Sequence, residues 1–173
     1  MARWAAGIAG LAALLGWDAA RGAPPPSPTP GGPFDTNVTG AEVYVGVPQR
    51  AKRPAGKACA VAEAYVDHIN SGRYRDAADL FADDGVLFEP SRRTYRGRAE
   101  IRTFYEGQIG GMRPEVVPVA YLGNDRECMV ELAVKTAIGG AQRFALVSID
   151  HFTLDGKGRV ASMIAFPRPP RTQ

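Results

Sequence analysis

The chain contains few of the residues that build metal sites or disulfide-rich scaffolds. Its 173 residues include only two cysteines, Cys59 and Cys128, and two histidines, His68 and His151. None of the four stands at a metal-ligand spacing, and two cysteines allow at most one bridge. We expect no metal, two structural histidines and two cysteines that serve as small buried hydrophobic side chains. A single disulfide is the alternative for the cysteines.

The part of the chain that is predicted to fold also lacks an excess of charge. The net charge is +3, but residues 1–57 hold six basic and three acidic residues, whereas residues 58–173 hold fifteen of each. A nucleic-acid-binding domain carries its basic excess on the folded part, so we expect no nucleic-acid partner. No apolar run reaches the roughly 18 residues of a membrane-spanning helix, so we also expect no membrane span.

The first residues have the composition of an export signal. Arg3 precedes an apolar run, Trp4 to Leu15, and small residues flank Arg21 at Ala20 and Gly22. We expect export to the periplasm or medium, with a cytoplasmic location as the alternative. A proline- and glycine-rich stretch follows, which is typical of an extended linker. The predicted organisation is signal peptide, linker with an N-terminal arm, one domain and a tail: residues 1–22, 23–57, 58–168 and 169–173.

Within residues 58–168, helical periodicity comes before strand periodicity. Apolar residues recur at helical spacing in three segments, 58–70, 74–84 and 97–109, and a short buried strand at 86–88 separates the last two. Alternating segments separated by glycine-containing turns then follow: 114–121, 127–137, 142–154 and 159–166. This order predicts an α+β domain in which three helices pack on a mainly antiparallel sheet.

The strand at 142–154 is predicted to be apolar on both faces. One face would carry Phe144, Leu146, Ser148, Asp150 and Phe152, and the other Ala145, Val147, Ile149 and His151. Both faces of such a strand must be covered. The helices would cover one face, and we expect the second subunit of a homodimer to cover the other.

Asp150 is the most informative residue of that strand, because a carboxyl among apolar neighbours is costly to ionise unless it is paired. No basic residue stands two positions away to pair with it. Three outcomes are open: a distant arginine pairs with Asp150, the carboxyl lies at the solvent-exposed mouth of a pocket, or it stays protonated. A protonated carboxyl would donate a hydrogen bond to a developing oxyanion.

Five segments resemble the bacterial ketosteroid isomerases in order and spacing over about 110 residues. They are Ala64–Gly72, Leu80–Asp84, Gly97–Tyr105, Ile149–Phe152 and Gly158–Met163. Several are shared with the wider superfamily, including polyketide-cyclase-like members, whereas Ile-Asp-His-Phe is more particular to the isomerases. The resemblance implies the cone-shaped fold of nuclear transport factor 2 (NTF2-like, SnoaL-like), which encloses one apolar pocket.

The resemblance also implies a site and a reaction. The family's oxyanion-hole tyrosine and aspartic acid fall on Tyr65 and Asp150, and its general base falls on Glu89. The implied reaction is a cofactor-independent double-bond shift in a small hydrophobic ketone, a class that includes steroids. That a carboxylic acid is held neutral at physiological pH is an established feature of this family. Five apolar side chains are expected to contact the ligand: Phe88, Phe104, Leu146, Phe152 and Phe166.

Two features depart from the family's pattern. The base is a glutamate, where the family has aspartate before proline, and a shift of about 1 Å in a catalytic group can cost on the order of 10²-fold. Three arginines follow it, Arg92, Arg93 and Arg96. They form a solvated loop or recognise an acidic ligand at the pocket mouth. A binding module without turnover and a purely structural or protein-partner domain therefore remain alternatives to an enzyme.

Overall fold

The computed structural model describes residues 43–138 and 140–168. Its helices are α1 (Lys57–Asn70), α2 (Tyr74–Asp79) and α3 (Arg98–Phe104), and α3 continues through a π-helical segment (Tyr105–Ile109) into the short α4 (Gly110–Met112). Its strands are β1 (Phe81–Phe88), β2 (Thr94–Arg96), β3 (Val116–Gly123), β4 (Glu127–Ile138), β5 (Ala141–Leu154) and β6 (Val160–Pro167). The predicted signal peptide, most of the linker and the tail lie outside these residues.

The six strands form one sheet in the order β2-β1-β6-β5-β4-β3. Strands β1 and β6 pair in parallel, and the other neighbours are antiparallel. The prediction of an α+β fold with three helical regions and a mainly antiparallel sheet is confirmed. No helix in the described part of the chain is long and apolar enough to cross a membrane.

Helix α1 forms because its apolar residues recur along one face. Its buried side chains are Ala58, Cys59, Ala62, Tyr65, Val66 and Ile69. The helix starts after Gly56 and ends where the backbone N–H of Ser71 bonds to the carbonyl oxygen of Asp67, and Gly72 follows at a φ of 69°. A left-handed residue after a helix favours glycine. This face packs against the sheet and holds Tyr65 in the middle of the main core.

Two hydrophobic clusters lie on opposite sides of the sheet. The larger one fills the space between the helices and the inner face. The smaller one lies on the outer face and contains Ala133, Phe144 and Leu146. The chain's own N-terminal arm pairs beside β5, since Val43 bridges to Ala145 and the backbone N–H of Tyr44 bonds to the carbonyl oxygen of Phe144, and Tyr44 packs against the outer cluster. The homodimer stays a prediction that light scattering at micromolar concentration would test.

Two predicted helix boundaries were wrong. The second helix ends at Asp79, and residues from Phe81 onward form β1, because Phe81 pairs with Val160 of β6. The third helix does not stop at Gly110 but continues to Met112. A Cβ at Gly110 would lie 3.3 Å from the ring of Tyr74, so this glycine serves close packing between helices. Strand β2 was not predicted at all.

The predicted alternation along β5 was also wrong in its first half. Ser148 pairs with Leu132, but Leu146 pairs with the next residue, Ala133, so an extra residue bulges at Val147. A bulge reverses which residues face inward beyond it. Asp150 and Ser148 therefore face the main core, whereas Leu146 belongs to the outer cluster.

The two cysteines are joined, which corrects the expectation of two unlinked side chains. Cys59 in α1 and Cys128 in β4 form a disulfide with an S–S distance of 2.06 Å, and both residues are fully buried. The bridge ties the start of α1 to the start of β4, next to the edge strand β3. Because α1 carries Tyr65, the bridge also fixes the helix that holds a predicted site residue.

Replacing both cysteines by alanine is expected to lower the free energy of unfolding by about 2–5 kcal/mol, because the bridge closes a loop of 69 residues in the unfolded chain. Urea unfolding of the wild type and the double variant measures the loss. Reductant should lower the urea midpoint of the wild type and leave that of the variant unchanged. An equal response of both proteins would show that the bridge contributes nothing in solution.

Candidate active site

A cavity of about 300 Å³ lies between the helices and the inner face of the sheet. Its walls are mostly apolar and include Val66, Ile69, Leu87, Phe104, Leu132 and Val134. Polar side chains interrupt this surface at a few points only: Tyr65, Glu89, Tyr105, Gln108, Ser148 and Asp150. An apolar hollow with a small number of convergent polar groups is the usual form of a small-molecule site.

The three residues predicted to carry chemistry all line this one cavity. Tyr65 comes from the middle of α1, Glu89 directly follows β1, and Asp150 lies in β5. Tyr65 and Asp150 are buried, with 9% and 4% of their surface exposed, whereas Glu89 is half-buried. The tertiary structure thus brings together side chains that are up to 85 positions apart in the chain.

Asp150 lies in this cavity without an ion-pair partner in the described part of the chain. Burial raises its pKa from 3.8 to about 7, and a hydrogen bond from the Ser148 hydroxyl acts in the opposite direction. Its Oδ1 atom is buried without a hydrogen-bond partner among the described residues. Of the three outcomes considered for this carboxyl, the structure favours the protonated one, and below about pH 7 the neutral form predominates.

Tyr65 is held by a second tyrosine, Tyr105, for which no catalytic role was predicted. The hydroxyl of Tyr105 donates to the hydroxyl of Tyr65 over 3.3 Å, and their rings meet edge to face with centroids 5.8 Å apart. Because Tyr65 accepts this bond, its own proton is free to donate elsewhere. Burial, with a smaller effect from the charge of Asp150, raises the pKa of Tyr65 well above its ordinary value, so the phenol stays protonated.

Glu89 is the first residue of the tight turn between β1 and β2. Its backbone N–H bonds to the carbonyl oxygen of Arg93, and its carbonyl oxygen accepts from Arg92, each over 2.9 Å. The Ser91 hydroxyl donates to Oε2 of Glu89 over 2.5 Å. Arg92 adopts a positive φ of 70°, a conformation uncommon for residues other than glycine. The turn therefore holds the carboxylate with both backbone and side-chain bonds.

Of the five apolar residues expected to contact the ligand, only Phe104 lines the cavity. The residues next to Phe88 and Phe166 along their strands face inward. Phe88 and Phe166 themselves therefore point to the other face of the sheet, and they are 37% and 46% exposed. Leu146 lies in the outer cluster because of the bulge at Val147. Phe152 is fully buried in the core, where its ring packs 5.3 Å from that of Tyr65. Phe152 can therefore act on the cavity only by supporting Tyr65.

Three polar residues of the cavity were not predicted to have a role: Tyr105, Gln108 and Ser148. Tyr105 lies in the segment Gly97–Tyr105 that resembles the ketosteroid isomerases, and Ser148 shares a predicted strand face with Asp150, so both could have been suggested. The position of Gln108 depends on the π-helical segment, which widens the helix after Phe104. No periodicity in the sequence indicates that change of pitch.

The remaining candidates lie away from the cavity wall. Arg92, Arg93 and Arg96 are exposed and do not line it. His151 faces outward, with its Nε2 atom 3.8 Å from a carboxylate oxygen of Glu127. Across residues 43–138 and 140–168, no three His, Cys, Asp or Glu side chains are grouped so that they could hold a metal ion.

Several known proteins resemble this chain in sequence or in fold. A steroid Delta-isomerase of Nocardioides simplex is 31% identical over 106 residues, which cover 61% of this chain and 85% of that protein. The structure of an epoxide hydrolase/cyclase-like enzyme, which has a role in pyran ring formation in the polyether salinomycin, matches with a TM-score of 0.54. It is 21% identical, and the match covers 63% of this chain and 88% of that one.

Two further solved structures share the fold at lower identity. A Mycobacterium tuberculosis protein in complex with estradiol-17beta-hemisuccinate matches with a TM-score of 0.55 at 14% identity. A computationally designed binder of 17-OHP matches with a TM-score of 0.53 at 12% identity. Each match covers 65% of this chain and 94% of the other. The SnoaL-like domain family matches residues 62–163, more than half of the chain. The chain therefore belongs to the SnoaL-like domain family, as its sequence motifs predicted.

Proposed function

We propose that this protein moves a proton within a small hydrophobic ketone and thereby shifts a carbon–carbon double bond into conjugation. The observation that carries the proposal is the convergence of Tyr65, Glu89 and Asp150 on one apolar cavity. A hydrogen-bonded tyrosine and a buried carboxyl supply donors, and a half-buried carboxylate supplies a base. The relationship to a steroid Delta-isomerase supports steroids as the ligand class.

In the proposed reaction, the Glu89 carboxylate removes a proton from the carbon next to the ketone. The electrons of that C–H bond form a dienolate, whose oxygen receives hydrogen bonds from Tyr65 and from neutral Asp150. Glu89, now protonated, returns the proton to the carbon at the far end of the dienolate, and the ketone is restored. A carboxylate suits both steps because its protonated form is acidic enough to release the proton. The two transfers balance without any other reactant.

Electrostatics support this division of roles. The two donors lie in the buried part of the site, where a hydrogen bond to a developing negative charge is stronger than in water. Glu89 lies in a more exposed position than either donor. A pair of carboxyl groups in different surroundings is a common way to divide acid and base work.

The test is incubation of the pure protein with 5-androstene-3,17-dione while the ultraviolet absorbance of the conjugated enone is followed. We expect turnover above the rate in buffer. We also expect Tyr65→Phe to lower this turnover, since that change removes one donor without altering the ring. Removing one oxyanion donor costs about 10²–10³-fold in turnover. A rate that is unchanged in Tyr65→Phe would refute the assigned site.

A second candidate function is the binding of a small hydrophobic ligand without turnover. The bond between the Ser91 hydroxyl and Oε2 of Glu89 favours it, because that oxygen is already occupied. In this case calorimetry would detect steroid binding that weakens when Asp150 is replaced by leucine. No enone would form, and Glu89→Gln would leave the affinity unchanged.

A further inference from the structure

Gln108 lines the cavity, and the proposed reaction leaves it without a role. It lies in the π-helical segment that continues α3, and this segment follows the cavity wall, since Tyr105, Gln108 and Met112 all line it. Tyr105 is 1% exposed and its hydroxyl lies 3.3 Å from that of Tyr65, whereas Met112 is 60% exposed. The helix therefore leads from the buried donors to the open mouth of the cavity, and Gln108 lies between these two ends.

The side-chain amide of Gln108 has no hydrogen-bond partner among residues 43–138 and 140–168. Gln108 is exposed, and the other exposed side chains of the cavity wall in this part of the chain are Pro90, Met112 and Val147. All three are apolar. The mouth of the cavity is therefore an apolar rim with one polar group, and a single polar group in such a surface can fix the orientation of a ligand.

The remaining polar side chains of the cavity lie deeper. Tyr65 and Asp150 are buried, and Glu89 is half-buried. A ligand whose ketone oxygen receives hydrogen bonds from Tyr65 and Asp150 places that ketone at the buried end. A volume of about 300 Å³ is within the range of drug-sized ligand sites, so a ligand that fills the cavity extends from these donors toward the mouth.

We propose that Gln108 is a specificity-determining residue that binds a second polar group, a ketone or a hydroxyl, at the end of the ligand far from the reacting ketone. The inference rests on the proposed function, which places the reacting ketone oxygen beside Tyr65 and Asp150. It narrows the substrate class to hydrophobic ketones that carry a second oxygen at the opposite end. An amide has both a donor and an acceptor, so it can donate to a ketone oxygen and accept from a hydroxyl.

The expected effect of this contact on affinity is modest, because water competes for a hydrogen bond at an exposed position. One such bond corresponds to about 2–10-fold in affinity. The effect must depend on the ligand, since only a ligand with the second oxygen can make the bond. A side chain that only fills space at the mouth would affect ligands with and without that oxygen equally.

The test is calorimetry of the pure protein with three steroids that share the same rings and the same conjugated ketone. 4-Androstene-3,17-dione has a second ketone, testosterone has a hydroxyl in its place, and 4-androsten-3-one has neither. All three already have the conjugated double bond, so the proposed reaction does not disturb the measurement. Gln108→Leu should lower the affinity for the first two by about 2–10-fold and leave that for 4-androsten-3-one unchanged.

Gln108→Glu replaces the amide by a carboxylate of the same size, which accepts hydrogen bonds but does not donate them. It should weaken binding of the dione and preserve binding of testosterone, whose hydroxyl can donate. A testosterone affinity that falls as far as that of the dione would contradict the proposed contact. Gln142→Leu is the matched control, because Gln142 is exposed in β5 and does not line the cavity. It should leave all three affinities unchanged.

Equal changes for all three steroids in Gln108→Leu, or no change for any of them, would overturn the proposal, as would a wild type that binds none of them. Turnover of 5-androstene-3,17-dione is measured separately on the same proteins. Absent turnover with the ligand-dependent loss of affinity would reject the proposed reaction and retain the role of Gln108. Turnover that falls in Tyr65→Phe, together with equal changes for all three steroids in Gln108→Leu, would retain the reaction and reject that role.

Discussion

Replacing Asp150 by leucine is expected to lower turnover of 5-androstene-3,17-dione by about 10²–10³-fold and, at pH 8, to make the folded protein more stable. The loss of turnover follows because leucine cannot donate a hydrogen bond to the dienolate oxygen. The gain in stability follows because leucine suits the apolar surroundings of β5 better than a carboxylate does. Asp150→Asn keeps a donor at the same place, so its loss of turnover should be smaller.

The sign of the stability change follows from the two states of the carboxyl. In the unfolded chain it ionises with a pKa near 3.8, whereas burial raises the pKa of Asp150 to about 7 in the folded protein. Between these values the folded state keeps a proton that the unfolded state releases. The free energy of unfolding therefore falls as pH rises through this window and levels off above about pH 7. Across this whole window the free energy of unfolding falls by an amount on the order of 4 kcal/mol.

Urea unfolding at pH 4 and pH 8 measures this effect. The difference in free energy of unfolding between Asp150→Leu and the wild type should grow by a few kcal/mol from pH 4 to pH 8. Asp84→Leu, at an exposed carboxylate in β1, is the control and should show no such growth. A difference that stays constant for Asp150→Leu would mean that this carboxyl is stably ionised in the folded protein. Its role as a neutral donor would then be excluded.

Replacing Glu89 by glutamine is expected to lower turnover by about 10²–10⁴-fold while ligand affinity changes little. Glutamine matches glutamate in size, so the cavity keeps its shape, but the amide cannot accept the proton from carbon. Because the base acts in the chemical step, the loss should fall on kcat and leave KM nearly unchanged. Steady-state kinetics and calorimetry with the same steroid separate the two parameters.

Two further variants sharpen this prediction. Glu127→Gln changes an exposed glutamate at the start of β4, outside the cavity, and should leave turnover unchanged. Glu89→Asp keeps a carboxylate but moves it by about 1 Å, so its turnover should stay within about 10²-fold of the wild type. Equal turnover in Glu89→Gln and the wild type would remove Glu89 from the mechanism and favour a binding protein.

The boundaries of several elements could be predicted because local signals define them. Helix α1 was expected over 58–70 and spans Lys57–Asn70, where an apolar stripe is bounded by Gly56 and Gly72. The hairpin from β4 to β5 was expected at 127–137 and 142–154 and is within one residue of the structure at each end. A period of two interrupted by a glycine turn is a local pattern, so no distant contact is needed to recognise it.

The predictions that failed depend on contacts between distant segments. Phe81 had helical neighbours in sequence, but pairing with Val160, 79 positions later, makes it part of a strand. The disulfide joins residues 69 positions apart, and no spacing rule could place the two sulfurs together. The bulge at Val147 follows from how β4 and β5 fit together, and it moved Leu146 out of the predicted site.

The sequence alone determined the fold class and the family, and it predicted three residues that line one cavity, because periodicity and motif order are properties of neighbouring residues. Only the tertiary structure decided which side chains share the cavity. It put Tyr105 against Tyr65, and it left four of the five expected apolar side chains outside the cavity wall. The physical reason is that burial and hydrogen bonding depend on positions in space, and these two conditions set the charge of a carboxyl.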